Sequence, residues 1–390
     1  MRKALLILCA LPLLLGGWLA APGQAGAAKP AVTTNAEASA LIDVQSGRLL
    51  YEKQPDKQMK IASLTKIMTA IVAIEEGKLS DRVTVSKAAF GKEGSSIYLK
   101  LGEQMSLHDL LYGMMLRSGN DAATAIAEHV GGSVEGFAFL MNQKAQEIGM
   151  RNSQFKNPHG LDEAGHYSTA RDMALLTAYA LRNPVFQEIV KTEMKKVARP
   201  EEKWDAVWRN KNKMLYLYPG ADGVKTGYTK TAGRCLVSSA TKNGQQLAVV
   251  TLSDPDDWAD HKRLFDYGFE HYPLATVIKQ GDKAADGILF GRSFRYPLLE
   301  GEEKQLTEQL VLEKPESAAY RLGDRGRVEL SLDGRLIGSV PLYSEGSTRI
   351  RQEDDAAFRF KPTEAPAKRS FLQTAGSVLR ALFAGGATIR

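Results

Sequence analysis

Ser63-Leu64-Thr65-Lys66, Ser118-Gly119-Asn120 and Lys225-Thr226-Gly227 follow one another along the chain, and together they hold the parts of an acyl-transfer site. A serine hydroxyl is a poor nucleophile near neutral pH and needs a base within hydrogen-bond reach. No histidine motif offers one. On a helix, positions i and i+3 share a face, so Lys66 can fold back toward Ser63. The positive end of a helix dipole, burial and a second cation at Lys225 all disfavour the charged ammonium, which lowers its pKa toward that of a usable base. A Ser-x-x-Lys tetrapeptide alone arises by chance in many chains of this length; the ordered set of three carries the inference.

The other residues have roles in the same chemistry. Lys225-Thr226-Gly227 falls on an expected strand, where Gly227 removes side-chain bulk and lets an extended peptide dock as an added strand. Lys225 and the Thr226 hydroxyl suit a substrate carboxylate, and Asn120 can present its amide to a substrate carbonyl. The backbone N–H groups of Ser63 and Tyr228 are candidates for an oxyanion hole, where a preorganised donor is worth about 3 kcal/mol. Ser118 is placed to pass a proton to the leaving amine. Taken singly, Ser118 and Asn120 would read as caps of the following helix, and Lys-Thr-Gly as an ordinary strand end.

The elements that must position these residues are visible in the periodicity. Ala38 to Val44 and Arg48 to Glu52 form a hairpin around Gln45-Ser46-Gly47. Ile67, Ala70, Ile71 and Ile74 recur at helical spacing until Gly77, which predicts a buried helix with Ser63 in its first turn. Helices are expected over Leu107 to Leu116, Ala122 to Val130, Val134 to Ile148 and Ala170 to Leu181, with Ser118-Gly119-Asn120 joining the first two. Gly223 to Thr229, Arg234 to Thr241 and Gln246 to Leu252 then read as strands, the last two joined by Lys242-Asn243-Gly244, and a helix closes the unit over Trp258 to Gly268. Strands, a helical block and strands again imply an α+β layered domain. Beyond Leu274 short strands predominate, at Ala275 to Ile278, Phe294 to Leu298, Gln309 to Leu312, Val328 to Leu332 and Arg335 to Pro341, which predicts a small β-rich second domain.

The ends of the chain are different in kind. Arg2 and Lys3 precede an apolar run from Ala4 to Ala21 that finishes in Ala25-Gly26-Ala27, the layout of an exported protein's signal peptide. A retained membrane anchor is the competing reading, which Gly16, Gly17 and the Ala-x-Ala ending disfavour. Lipid attachment at Cys9 is disfavoured by the bulky Leu8 before it. Cys235, alone after cleavage, reads as a buried strand thiol without a disulfide. At the carboxy terminus Phe371, Leu372, Ala375, Val378, Leu379, Leu382 and Phe383 share one helical face beside Lys368, Arg369 and Arg380, a pattern for a helix lying in a membrane interface. Docking on the second domain is the alternative. The formal net charge of +6 suits an anionic envelope, and no basic stripe with interleaved aromatics indicates nucleic acid. The expected division is residues 1–27 as signal peptide, 28–273 as catalytic domain, 274–360 as β-rich domain, and 361–390 as linker and amphipathic helix.

Ser-x-x-Lys, Ser-x-Asn and Lys-Thr-Gly in this order resemble the penicillin-binding protein and serine β-lactamase superfamily. Ile61 to Ala70, Leu116 to Ala123, Asn157-Pro158-His159-Gly160-Leu161 and Asp222 to Thr229 narrow the likeness: the chain resembles the low-molecular-mass D-alanyl-D-alanine carboxypeptidases, closely from about Ala38 to Tyr272. That resemblance implies an antiparallel sheet with a helical block. It also implies removal of the terminal D-alanine from peptidoglycan pentapeptide stems through an acyl-enzyme on Ser63, and acylation of the same serine by β-lactams. No cofactor is implied. Asp254 to His261 resembles members from endospore-forming bacteria, including those that trim spore cortex. In some relatives a basic residue near the start of the last helix assists binding of the substrate carboxylate, whereas this stretch here is Asp256-Asp257-Trp258. His159, Asp162, Glu163 and His166 are potential metal ligands by type, yet their spacing is not the i, i+4 pair of a zinc hydrolase, and no metal is expected. The rival functions are a β-lactamase, a DD-endopeptidase and a non-catalytic peptidoglycan-binding scaffold. A β-lactamase with a dedicated deacylating Glu would carry a Glu-x-x-Leu-Asn loop, which is missing between Asn120 and Lys225.

Overall fold

A computed structural model describes residues 31–199 and 205–350. The expected signal peptide and the carboxy-terminal amphipathic helix lie outside the described residues. Five antiparallel strands form the central sheet, in the order Leu49–Lys53, Ala38–Asp43, Gln245–Leu252, Gly233–Lys242 and Ala221–Thr229. The Lys-Thr-Gly strand is therefore an edge, which leaves part of its backbone hydrogen-bonding capacity facing away from the sheet.

Alternation along the inner strands feeds two cores. Val237, Ala248 and Val250 face the helical block, while Leu236, Leu247 and Val249 pack beneath Leu264 and Phe265 of the closing helix, Asp257–His271. With both faces covered, these strands read as almost continuous apolar runs. Their hairpin turns at Asn243 and Gly244, both with positive φ (51° and 75°), as a two-residue turn of the primed kind requires.

The helix that follows Ser63, Thr65–Glu76, threads the centre of the helical block and is buried continuously from Thr65 to Ala73. Around it lie the helices Leu107–Arg117, Asn120–Gly131, Val134–Ile148 and Ala170–Ala180. Three of the surrounding helices, the first, third and fourth, start at a hydroxyl that accepts a first-turn N–H: Ser106 from Asp109, Ser133 from Gly136 and Thr169 from Asp172. Each such cap is worth about 1 kcal/mol. Ser63 itself sits just ahead of its α-helix, in a 3-10 turn over Ala62–Leu64, rather than within the first α-helical turn.

The region after Tyr272 is β-rich. Leu306–Leu312, Asp324–Leu332, Arg335–Ser344, Ile288–Phe290 and Lys283–Ala285 form a second antiparallel sheet, and Leu274–Ile278 pairs with Phe294–Pro297. Its cores are small, built from residues such as Ile278, Val328, Leu330 and Val340. Arg48 of the amino-terminal hairpin ties this region to the central sheet. Its guanidinium pairs with Glu302 at 2.6 Å, donates to the Pro297 carbonyl, and lies 5.3 Å from the ring centroids of both Tyr272 and Tyr296.

Candidate active site

The Lys66 ammonium lies at the centre of the site with no solvent exposure. Its Nζ is 3.0 Å from Ser63 Oγ, 2.7 Å from Asn120 Oδ1 and 2.6 Å from the His159 carbonyl oxygen. Burial, then the charges of Lys225 and Lys211, hold its pKa well below the ordinary lysine value, with only Asp121 acting the other way. In the neutral form, two N–H bonds directed at the Asn120 and His159 oxygens leave the lone pair for the serine hydroxyl. The geometry thus supports proton transfer from Ser63 to Lys66.

Each partner of Lys66 is itself held. Asn120 begins its helix, accepts through Oδ1 from Lys66, and donates from Nδ2 to the Glu93 carbonyl at 2.6 Å. Its backbone N–H donates to the Ser95 carbonyl at 2.7 Å. The neighbouring Asp121 carboxylate, buried, accepts from the N–H groups of Ile97 and Leu99 and from the Ser96 hydroxyl, which pins the segment that holds Asn120.

The loop from Asn157 to Leu161 presses the His159 carbonyl inward. Thr69, on the helix that follows Ser63, donates to the Pro158 carbonyl at 2.6 Å, and Gly160 N–H donates to Asn157 Oδ1 at 2.8 Å. A Cβ on Gly160, whose φ is +81°, would lie 1.9 Å from the Ala62 carbonyl oxygen, so only glycine permits this approach to the Ala62–Leu64 turn. The His159 ring is pushed down to about 3 by burial and by Lys66, and it stays neutral.

The Lys-Thr-Gly strand closes the other side. Lys225 is buried and donates from Nζ to the Thr226 carbonyl at 2.7 Å; burial, reinforced by Lys211, lowers its pKa to about 7. A Cβ on Gly227 would lie 3.2 Å from both Ser63 N and the Ile61 carbonyl oxygen. The strand backbone thus rests directly on the turn that carries Ser63, and this brings the Ser63 and Tyr228 segments side by side. The Tyr228 side chain is exposed. Ser118 is buried in a left-handed conformation (φ 65°) at the end of its helix, and its hydroxyl has no hydrogen-bond partner among the described residues. Capping does not account for this motif, because Gly119 occupies the N-cap of the next helix and no side chain caps it.

Ser63, Lys66 and Asn120 are thus joined by hydrogen bonds, Lys225 reaches them through its charge, and Gly227 through backbone contact. The His159 carbonyl and Lys211 belong to the same arrangement but carried no site assignment from sequence. A backbone oxygen leaves no residue-type signal, although the segment Asn157 to Leu161 was already among the matching stretches. Lys211, whose Nζ lies 3.2 Å from Ser95 Oγ, stands in no motif. The four potential metal ligands are engaged otherwise: His159 Nδ1 accepts from the Leu161 N–H, His166 meets the Thr65 hydroxyl and the Lys156 N–H, Glu163 accepts from Asn157, and Asp162 accepts from the Thr229 and Thr231 hydroxyls. Among the described residues no cluster of His, Cys, Asp and Glu is arranged to hold a metal. Burial raises the Cys235 thiol to about 12, so it is inert near neutral pH.

Residues 24–256 match a sequence family described as D-alanyl-D-alanine carboxypeptidase. The D-alanyl-D-alanine carboxypeptidase DacF of Bacillus subtilis is 36% identical over 342 residues, covering 85% of each chain. DacC of Escherichia coli, with the same description, is 34% identical over 344 residues, 80% of this chain and 84% of its own. Among solved structures, penicillin binding protein 5 from Haemophilus influenzae superposes with a TM-score of 0.67 at 29% identity, over 81% of this chain and 98% of that one.

Proposed function

The chain belongs to the D-alanyl-D-alanine carboxypeptidase family, and from that premise we propose that Ser63, activated by Lys66, removes the terminal D-alanine from peptidoglycan pentapeptide stems. The serine-type hydrolase activity follows from the family. The residue roles are our own reading, and the observation that carries them is the buried, charge-depressed Lys66 ammonium 3.0 Å from the Ser63 hydroxyl.

In the first half-reaction Ser63 Oγ attacks the carbonyl carbon of the penultimate D-alanine while Lys66 Nζ takes the hydroxyl proton. The carbonyl π pair moves to oxygen, where the Ser63 and Tyr228 N–H groups stabilise it. The pair then returns, the C–N bond breaks, and the departing amine receives a proton relayed from Lys66 through Ser118. D-Alanine leaves, and the acyl group remains on Ser63 as an ester. In the second half-reaction water adds to the ester carbonyl, Lys66 accepts its proton, and the serine is released with the proton returned. Asn120 serves the substrate carbonyl, and the Lys225-Thr226-Gly227 strand receives the peptide as an added strand.

The same chemistry makes β-lactams covalent inhibitors at Ser63, since a strained cyclic amide presents a carbonyl to the same nucleophile and keeps its leaving group tethered. The substrate polymer lies outside the cytoplasm, and the protein with it. No described helix is long and apolar enough to cross a membrane; association with the membrane surface is proposed for residues 361–390, on their apolar face and basic flank. The test is D-alanine release from a pentapeptide ending in D-Ala-D-Ala. Wild type releases it and Ser63→Ala does not; peptide binding without release by wild type would instead mark a scaffold.

A further inference from the structure

Arg234 has a geometry that these steps leave unused. It lies near the start of the strand Gly233–Lys242, directly paired with Tyr228 and two register positions from the pair formed by Thr226 and Leu236. Paired residues share a face, as do residues two apart, so Arg234, Tyr228 and Thr226 stand on one side of the sheet, with Thr226 a diagonal neighbour within reach of a long side chain. Beyond the start of the closing helix this side opens to solvent: the Arg234 side chain is 44% exposed, and Tyr228 is exposed beside it.

The guanidinium is nonetheless fixed. Its Nη2 donates to Asp257 Oδ1 at 2.5 Å, and its carbon lies 5.8 Å from the Trp258 ring centroid. Asp257, the first residue of the closing helix, is almost wholly buried. Among the described residues it is the only polar partner of the Arg234 side chain, so most of the five guanidinium N–H donors are left for a ligand. An exposed guanidinium, braced from behind by a buried carboxylate and an indole, is suited to bidentate capture of a carboxylate. Lys225 is less suited to that task than its sequence motif suggests, because its ammonium is buried and committed to the Thr226 carbonyl.

We propose that Arg234, positioned by Asp257 and Trp258 and aided by the Thr226 hydroxyl, binds the terminal carboxylate of the peptide and so selects a free carboxy-terminal D-alanine over an internal bond. This inference rests on the carboxypeptidase reading above. Asp257 acts through Arg234 and is a positioning residue.

The experiment compares a peptide ending in D-Ala-D-Ala as the free acid with the same peptide as its carboxy-terminal amide. The ratio of their kcat/KM values is measured for wild type, Arg234→Ala, Arg234→Lys and Asp257→Asn. Wild type favours the free acid. Arg234→Ala lowers that preference by about ten- to a hundredfold, the usual worth of a hydrogen bond to a charged group, with the loss in KM rather than kcat. Arg234→Lys keeps part of it, and Asp257→Asn loses an intermediate share. Arg234→Ala leaves the buried Asp257 carboxylate unpaired and lowers the unfolding temperature; a cooperative transition well above the assay temperature shows that the variant is still folded when assayed. A wild type that releases no D-alanine overturns the carboxypeptidase reading and this inference with it. A competent wild type with an Arg234→Ala variant that loses equally on both peptides, or on neither, overturns the Arg234 assignment alone.

Discussion

Two carbonyl oxygens and one hydroxyl surround Lys66 Nζ, and this set of partners decides what the amine can do. Protonated, it would bury a charge between two other lysines; neutral, it keeps two donors for the carbonyls and offers its lone pair to Ser63. Replacing Lys66 with Ala is therefore expected to slow acylation about 10²- to 10⁴-fold, the usual range for a general base, measured as the rate of penicillin adduct formation. The pH dependence follows with a definite sign. Acylation falls as pH drops through the depressed Lys66 pKa, and Lys225→Met, by removing the charge that repels Lys66 most strongly, moves that acid limb to higher pH. Lys225 also leaves a mark on stability. Its folded pKa of about 7 lies below the ordinary 10.5, so the unfolded chain takes up a proton that the folded one refuses as pH falls between those values. Stability is lost across that window, and the loss levels off below pH 7. In Lys225→Met this contribution to the slope disappears, and thermal unfolding followed from pH 10.5 to 7 reads it directly.

Two glycine approaches bring the turn that carries Ser63 between its neighbouring elements. Gly227 brings the edge strand onto the Ser63 N–H, and Gly160 brings the Asn157 to Leu161 loop onto the Ala62 carbonyl. Gly227→Ala is expected to fold but to lose about ten- to a hundredfold in kcat, since a shift of a few tenths of an ångström misaligns the oxyanion donors. Gly160→Ala meets backbone at 1.9 Å with φ at +81°, so it destabilises by more than ~1 kcal/mol and lowers acylation as well; unfolding temperature and adduct rate together check this. These elements were unevenly legible in the sequence. The helices from Leu107 to Ile148 and the strands around Lys242-Asn243-Gly244 follow from strong periodicity and turn chemistry, and they lie within a few residues of expectation. The pairs Arg82–Thr84 with Gln104–Ser106 and Met194–Val197 with Ala206–Arg209 are too short to show a period. The helix Pro184–Lys191 did carry a signal in Asn183, whose side chain caps it, followed by Pro184 at its first turn. Within the site, side-chain motifs were readable, whereas the His159 carbonyl, Lys211 and the brace of Asp257 on Arg234 depend on tertiary approach and have no linear pattern.

Across the whole molecule, the β-rich region meets the central sheet through Arg48, Glu302 and the two flanking tyrosines. Arg48→Ala strands the largely buried Glu302 carboxylate and is expected to cost about 3–5 kcal/mol, lowering the unfolding temperature while D-alanine release at 25 °C stays within about twofold because the site lies elsewhere. The segment over residues 361–390, basic and with apolar residues at helical spacing in the sequence, is expected to govern location and not chemistry. A chain ending at residue 360 should release D-alanine at the full rate and should no longer sediment with anionic vesicles. Both expectations treat the acyl-transfer centre as self-sufficient within the central sheet and helical block, and that centre is open to a direct measurement. After brief exposure to benzylpenicillin, peptide mapping by mass spectrometry should place a single adduct on the Ser63 peptide in wild type, none in Ser63→Ala, and a strongly slowed one in Lys66→Ala. An adduct on another serine, or one that forms undiminished without Lys66, would contradict the assignment of Ser63 as nucleophile and Lys66 as its base.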